Sequence, residues 1–141
     1  MLIRDALLPE FDQEMATTRR LLERIPDDKL SFKPHPRSMD MATLATHLSE
    51  MTGWTVETIG KDSFDLAGFD PAQRKIASSR VELLEMFDKS VSKARAALAT
   101  AENDQLMQPW SLKSGEKVFF TMPKVAVLRT FVFNQIGRAH V

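Results

Sequence analysis

Four stretches of the chain place apolar residues at alternating spacings of three and four, the period of a helix that buries one face. In the first, Leu8, Phe11, Met15, Thr18, Leu22 and Ile25 form the stripe, and Arg19, Arg20, Glu23 and Arg24 crowd the polar side. Pro26-Asp27-Asp28 ends it, because a proline disfavours helical geometry in the residue before it. The second helix is expected to begin at Ser38 or Asp40, both good N-caps, and to run to about Ile59, with Gly60 as its stop. Leu44, Leu48, Met51 and Thr55 make its stripe, and His47 and Trp54 lie on the flank. The third opens at Ser79-Arg80-Val81-Glu82, a capping-box pattern, continues through Leu84, Phe87, Val91, Ala94 and Leu98, and is expected to close at Asn103-Asp104. The fourth is expected to be capped by Thr121 with Pro123 in its first turn; Val125, Leu128 and Val132 form its stripe, and Gln135 and Ala139 continue the series.

The connections narrow the topology. Residues 31–38 contain Pro34 and Pro36 and read as an extended link. Around Trp110 the period changes, and Ser114-Gly115 reads as a turn between two short extended pieces, residues 110–113 and 116–120. Residues 61–78 show no regular period. At roughly 3.3 Å per residue such a link reaches more than about 50 Å, whereas a helix of about 19 residues is only about 28 Å long. A crossover along the whole length of a bundle is therefore open, leaving helices 2 and 3 parallel. The expected class is all-α: a four-helix bundle, up-down-down-up, with a long helix 2–helix 3 crossover.

Composition removes several function classes. The 141 residues suit one domain, and 43% apolar with 27% charged residues is a soluble, globular balance. Lys plus Arg and Asp plus Glu both number 19, so no basic surplus points to nucleic acid or an anionic membrane. The absence of cysteine excludes a disulfide framework, a Cys-ligated zinc and a cysteine nucleophile. The N-terminus lacks a signal-peptide core, and no apolar run approaches the roughly 20 residues of a membrane span; a cytoplasmic location follows as the expectation.

Metal chemistry is left to His, Asp and Glu. His47, mid-helix beside an apolar stripe, reads on spacing alone as a boundary histidine held by one nitrogen. Its functional reading is an imidazole metal ligand turned toward the bundle interior, which needs at least two further ligands. His35, in Lys33-Pro34-His35-Pro36, and His140, near the C-terminus, read as a solvated loop residue and a frayed-end residue. Asp62, Asp65 and Asp70 lack the spacing of a cation loop, and Trp54 and Trp110 read as large core or rim residues. No phosphate loop or nucleophile elbow occurs.

Longer strings carry a resemblance. Arg19-Arg20-Leu21-Leu22-Glu23-Arg24-Ile25-Pro26, Lys33-Pro34-His35-Pro36-Arg37-Ser38-Met39, Leu44-Ala45-Thr46-His47, Pro109-Trp110-Ser111-Leu112 and Thr121-Met122-Pro123-Lys124, followed by residues 127–134, together resemble a DinB/YfiT-like protein over nearly the whole chain. The resemblance implies a four-helix bundle and a divalent metal, zinc or nickel, held by three histidines. His47 stands at the helix 2 ligand position. The other two ligands would form a His-x-x-x-His pair directly after Asn134, a spacing that puts two imidazoles on one helical face. It also implies hydrolase or thiol S-transferase chemistry on a small-molecule or thiol substrate.

This chain departs at that pair, where it has Gln135 and Ala139; His140 is one residue late, about 100° around the helix. Gln-Ile-Gly-Arg-Ala-His-Val is the translation of a sequencing adapter beginning AGATCGGAAGAGC, read after a single C. Residues 1–134 are therefore expected to be one DinB-like domain, and residues 135–141 a non-native tail on a truncated gene. The alternative is a divergent member with a degenerate site. Either way little zinc or nickel and no activity are expected of this chain. A separate reading is a non-catalytic helical bundle that acts in binding or homodimerisation.

Overall fold

The computed structural model of the chain describes residues 2–33, 40–67 and 75–133, the Phe131 side chain excepted. Most of them are helical. Three long helices, α1 (Ile3–Glu23), α2 (Met41–Gly60) and α3 (Arg80–Ala99), are followed by a short α4 (Asn103–Met107) and by α5 (Lys124–Val127), which runs on into a π-helical turn, Leu128–Val132. A three-stranded sheet of β1 (Ser63–Asp65), β2 (Pro109–Ser114) and β3 (Lys117–Pro123) accompanies them. The expectation of an all-α chain is corrected by that sheet.

Local chemistry explains the helix starts. Asp40 caps α2 by accepting from Thr43 N at 2.8 Å, and Met41 N and Ala42 N donate back to Phe32 O and Leu30 O, satisfying first-turn donors that a helix leaves free. Ser79 caps α3 through Glu82 N at 3.1 Å; the Glu82 carboxylate accepts from Ser78 N and Ser78 Oγ, one residue before the cap. The α1 cap residue Leu2 has no side-chain oxygen, and Ile3 N finds its acceptor 100 residues on, at Asn103 Oδ1, 2.7 Å away.

Asn103 thereby takes a different part from the one expected of it. Helix α3 ends at Ala99, and Asn103 opens α4, whose Glu102–Gln105 capping box starts a new short helix. In α1 the buried stripe is Leu7, Phe11, Met15, Thr18 and Leu22; Leu8 is only half-buried, so the stripe begins one residue earlier than the spacing suggested.

Side-chain pairs set the helix directions. Arg19 meets Asp88, Arg95 meets Asp12 and Arg4 donates to Ala101 O, so α1 and α3 run opposite ways. Thr46 Oγ1 accepts from Ala77 N, Gly53 lies against Ser90, and Gln105 donates to Ile59 O, so α2 and α3 run the same way. The last helix starts beside Ile59, where Lys124 Nζ donates to Ile59 O, and Arg129 meets Glu10, so its described part runs with α1. The core between these elements includes Phe11, Phe87, Leu98, Leu128 and Val132, and the rings of Phe11 and Phe133 stand 5.7 Å apart.

The sheet corrects two further expectations. Strand β1 lies inside the supposedly irregular link and pairs parallel with β2, Ser63 opposite Ser111 and Asp65 opposite Lys113. Residues 68–74 of that link, like 34–39, lie outside the described residues. The hairpin is longer than expected: β3 continues through Thr121, whose Oγ1 is 2.8 Å from Ser111 Oγ, to Pro123 opposite Pro109. Thr121 is thus a strand residue, Pro123 precedes the helix, and Lys124 N donates to Gln108 O as the helix begins. Gly115 turns the hairpin at φ 59°, a left-handed conformation that glycine adopts without steric cost.

Candidate functional site

His47 lies in the middle of α2 and is half-buried. Thr46, its neighbour, turns toward the entry to α3, where it accepts from Ala77 N at 3.1 Å. A helix rotates about 100° per residue, so His47 stands well round from that side, on the line that carries Met51 and Trp54 at +4 and +7. Met51 is buried; Trp54 is half-buried, with its ring 4.9 Å from that of Phe64 on β1. Helix α2 also packs against the Leu128–Val132 turn of the last helix, and that contact is the seam between the two. His47 itself is half-buried, so its imidazole is partly accessible.

The other two positions of the expected metal set, Gln135 and Ala139, lie outside the described residues. Among the described residues no group of three His, Cys, Asp or Glu side chains is arranged to hold a metal ion. His35 and His140 lie outside the described residues as well. By chemistry alone an amide at 135 and a methyl at 139 do not supply two imidazoles. The residues present do not fit a three-histidine centre.

Two of the three acids assigned to the link, Asp62 and Asp65, have structural partners. Asp65 accepts from Gly115 N at 3.0 Å and Ala67 N at 2.9 Å, and the Gly115 amide is the main reason its carboxyl is held below the usual carboxylate range. Asp62 pairs with Lys124 at 3.2 Å, and Asp70 lies outside the described residues. Trp110 is buried, with its ring 6.0 Å from that of Phe120; its indole N–H has no partner among the described residues.

Sequence reasoning missed Lys124. Its side chain is 2% exposed, and its ammonium donates to Ile59 O at 2.9 Å. The signal was present: a cation at the first position of a helix opposes the macrodipole there, so it needs an acceptor from elsewhere.

Half-buried His47 on α2, in a mostly helical domain that also carries a small three-stranded sheet, is the candidate for chemistry that the geometry offers. A family model of the DinB superfamily matches residues 10–133, and the chain belongs to that superfamily. A search of curated proteins finds none that matches it. No described helix is long and apolar enough to cross a membrane.

Proposed function

We propose that the chain is built on the plan of a metal-dependent DinB-like enzyme, a hydrolase or thiol S-transferase acting on a small-molecule or thiol substrate in the cytoplasm, with its metal site incomplete. In this reading α1, α2, α3 and the last helix form an up-down-down-up four-helix bundle, and the last helix faces His47 across the seam. What supports the reading is membership of the DinB superfamily over residues 10–133 together with a half-buried His47 on α2.

The donor set also bears on what this chain does as it stands. With Gln135 and Ala139 at the paired positions, His47 is the single ligand of the three that the sequence retains. The test is a zinc and nickel titration of the chain and of the double variant Gln135→His/Ala139→His. The chain is expected to carry far less than one metal per molecule by elemental analysis, and the double variant to bind stoichiometrically. If adding His47→Ala to the double variant leaves its binding unchanged, the reading is lost. If the double variant itself binds nothing, a non-catalytic bundle acting in binding or dimerisation takes its place. The coding nucleotides of residues 135–141 decide whether Gln135 and Ala139 are natural residues or adapter sequence.

A further inference from the structure

At the end of α2, one backbone carbonyl gathers two side-chain donors from distant parts of the chain. Ile59 O accepts from Gln105 Nε2 at 3.1 Å and from Lys124 Nζ at 2.9 Å. The Lys124 side chain is 2% exposed, and its second partner, Asp62 Oδ1 at 3.2 Å, belongs to a side chain that is 80% exposed. Burial of an ammonium is unfavourable unless it is paired and hydrogen-bonded. Lys124 also opens a helix, where the macrodipole repels a cation. Reaching across to the last turn of α2 reverses that sign, because free carbonyls there attract a cation.

Two backbone bonds tighten the same node. Lys124 N donates to Gln108 O at 2.9 Å, and Ser111 N donates to Asp62 O at 3.0 Å. One residue thus ties the end of α2, the entry to β2 and the first turn of the last helix. Apolar contacts alone, such as those of Leu128 and Val132, tolerate sliding, because helix ridges and grooves repeat along the axis. A single buried polar group breaks that degeneracy, as a buried polar residue does in a coiled-coil seam.

We propose that Lys124 is a positioning residue that sets the axial register of the last helix against α2. Its functional consequence, alignment of whatever the two helices bind between them, rests on the reading that the site lies in that seam. A slip of one residue displaces a side chain by about 1.5 Å along the axis and about 100° around it, enough to separate groups that must converge on one ligand.

The chain has no cysteine, so Val56→Cys on α2 and Thr130→Cys on the last helix, both exposed, accept spin labels at unique sites. Pulsed electron resonance then reads the distance distribution between them. With Lys124 present a single narrow distribution is expected. Lys124→Met should shift it by about 1.5 Å or more, or broaden it, while helical circular dichroism is kept. Gln105→Leu, which removes the other donor to the same carbonyl, should leave it unchanged. An unchanged distribution in Lys124→Met, or an equal shift in Gln105→Leu, overturns the proposal. Loss of helicity in Lys124→Met overturns it too, since Lys124 would then be a requirement of folding rather than of register. The distances are read without metal, so a chain that fails to bind zinc leaves this test intact.

Discussion

Thr18 occupies the middle of the buried stripe of α1, fully enclosed, and its hydroxyl has no hydrogen-bond partner among the described residues. Threonines in helices usually meet this need with the carbonyl four residues back. Thr17 does so with Gln13 O at 2.9 Å, and Thr52 with Leu48 O at 3.2 Å, while Thr52 Oγ1 also lies 3.5 Å from Met15 Sδ. A buried hydroxyl left unmade costs about 1–3 kcal/mol. Thr18→Val removes that hydroxyl and substitutes a methyl of nearly the same size, worth about 0.8 kcal/mol when buried. Both residues are β-branched, so helix propensity scarcely changes. The expected net effect is a stabilisation of about 2–4 kcal/mol, which in a domain of this length raises the melting temperature by about 6–12 °C. Urea unfolding followed by far-ultraviolet circular dichroism measures it directly. The midpoint should rise while the slope stays constant, since the surface exposed on unfolding is the same. Thr52→Val is the control. It removes a bonded hydroxyl and should lose about 0.5–1.5 kcal/mol. A fall in the midpoint for Thr18→Val would refute the reasoning, because it would mean that the hydroxyl is bonded, for instance to a buried water, and not orphaned.

Two further predictions concern the turn and the helix cap. Gly115 sits at φ +59°, and an added Cβ would meet nothing within 4 Å, so Gly115→Ala should destabilise by about 1–2 kcal/mol through backbone strain alone, and Gly115→Asn by less; chemical denaturation of the two variants checks both. Asp40, held below the usual carboxylate range by the Thr43 hydroxyl and amide, shares its downward direction with Asp65 at the Gly115 amide and Asp88 at the Arg19 guanidinium. A carboxyl with a depressed folded value contributes stability that is fully present above its ordinary value of about 3.9 and is lost as pH falls through the folded one. The chain should therefore lose stability in acid below about pH 4, and Asp40→Asn, which keeps a capping side chain but cannot titrate, should lose less between neutral and acid pH than the unaltered chain. An equal loss in calorimetric melts across that range would contradict the assignment.

The helices were legible because each one's chemistry is local. The three-four stripe through Phe11, Met15 and Leu22 and the caps at Asp40 and Ser79 each act within a few residues, and helix formation depends on little else. The place of His47 within a helix beside an apolar stripe was legible, because that too is a local pattern. Strand β1 was not. Ser63-Phe64-Asp65 is too short to show a period of two, and its partner β2 lies nearly fifty residues further on, as the pairing of Ser63 with Ser111 shows. The same distance hid the acceptor of Ile3 N at Asn103 and the burial of Lys124 against Ile59. By itself the sequence determined that the three long segments are helical and where α2 and α3 begin; the tertiary structure alone decided where the last helix starts, that a separate short helix opens at Asn103, and which distant carbonyls and carboxylates complete these elements. The reason is that a helix closes its hydrogen bonds over four residues, whereas a strand, a buried ammonium and a capless helix start must each borrow a partner from another part of the chain.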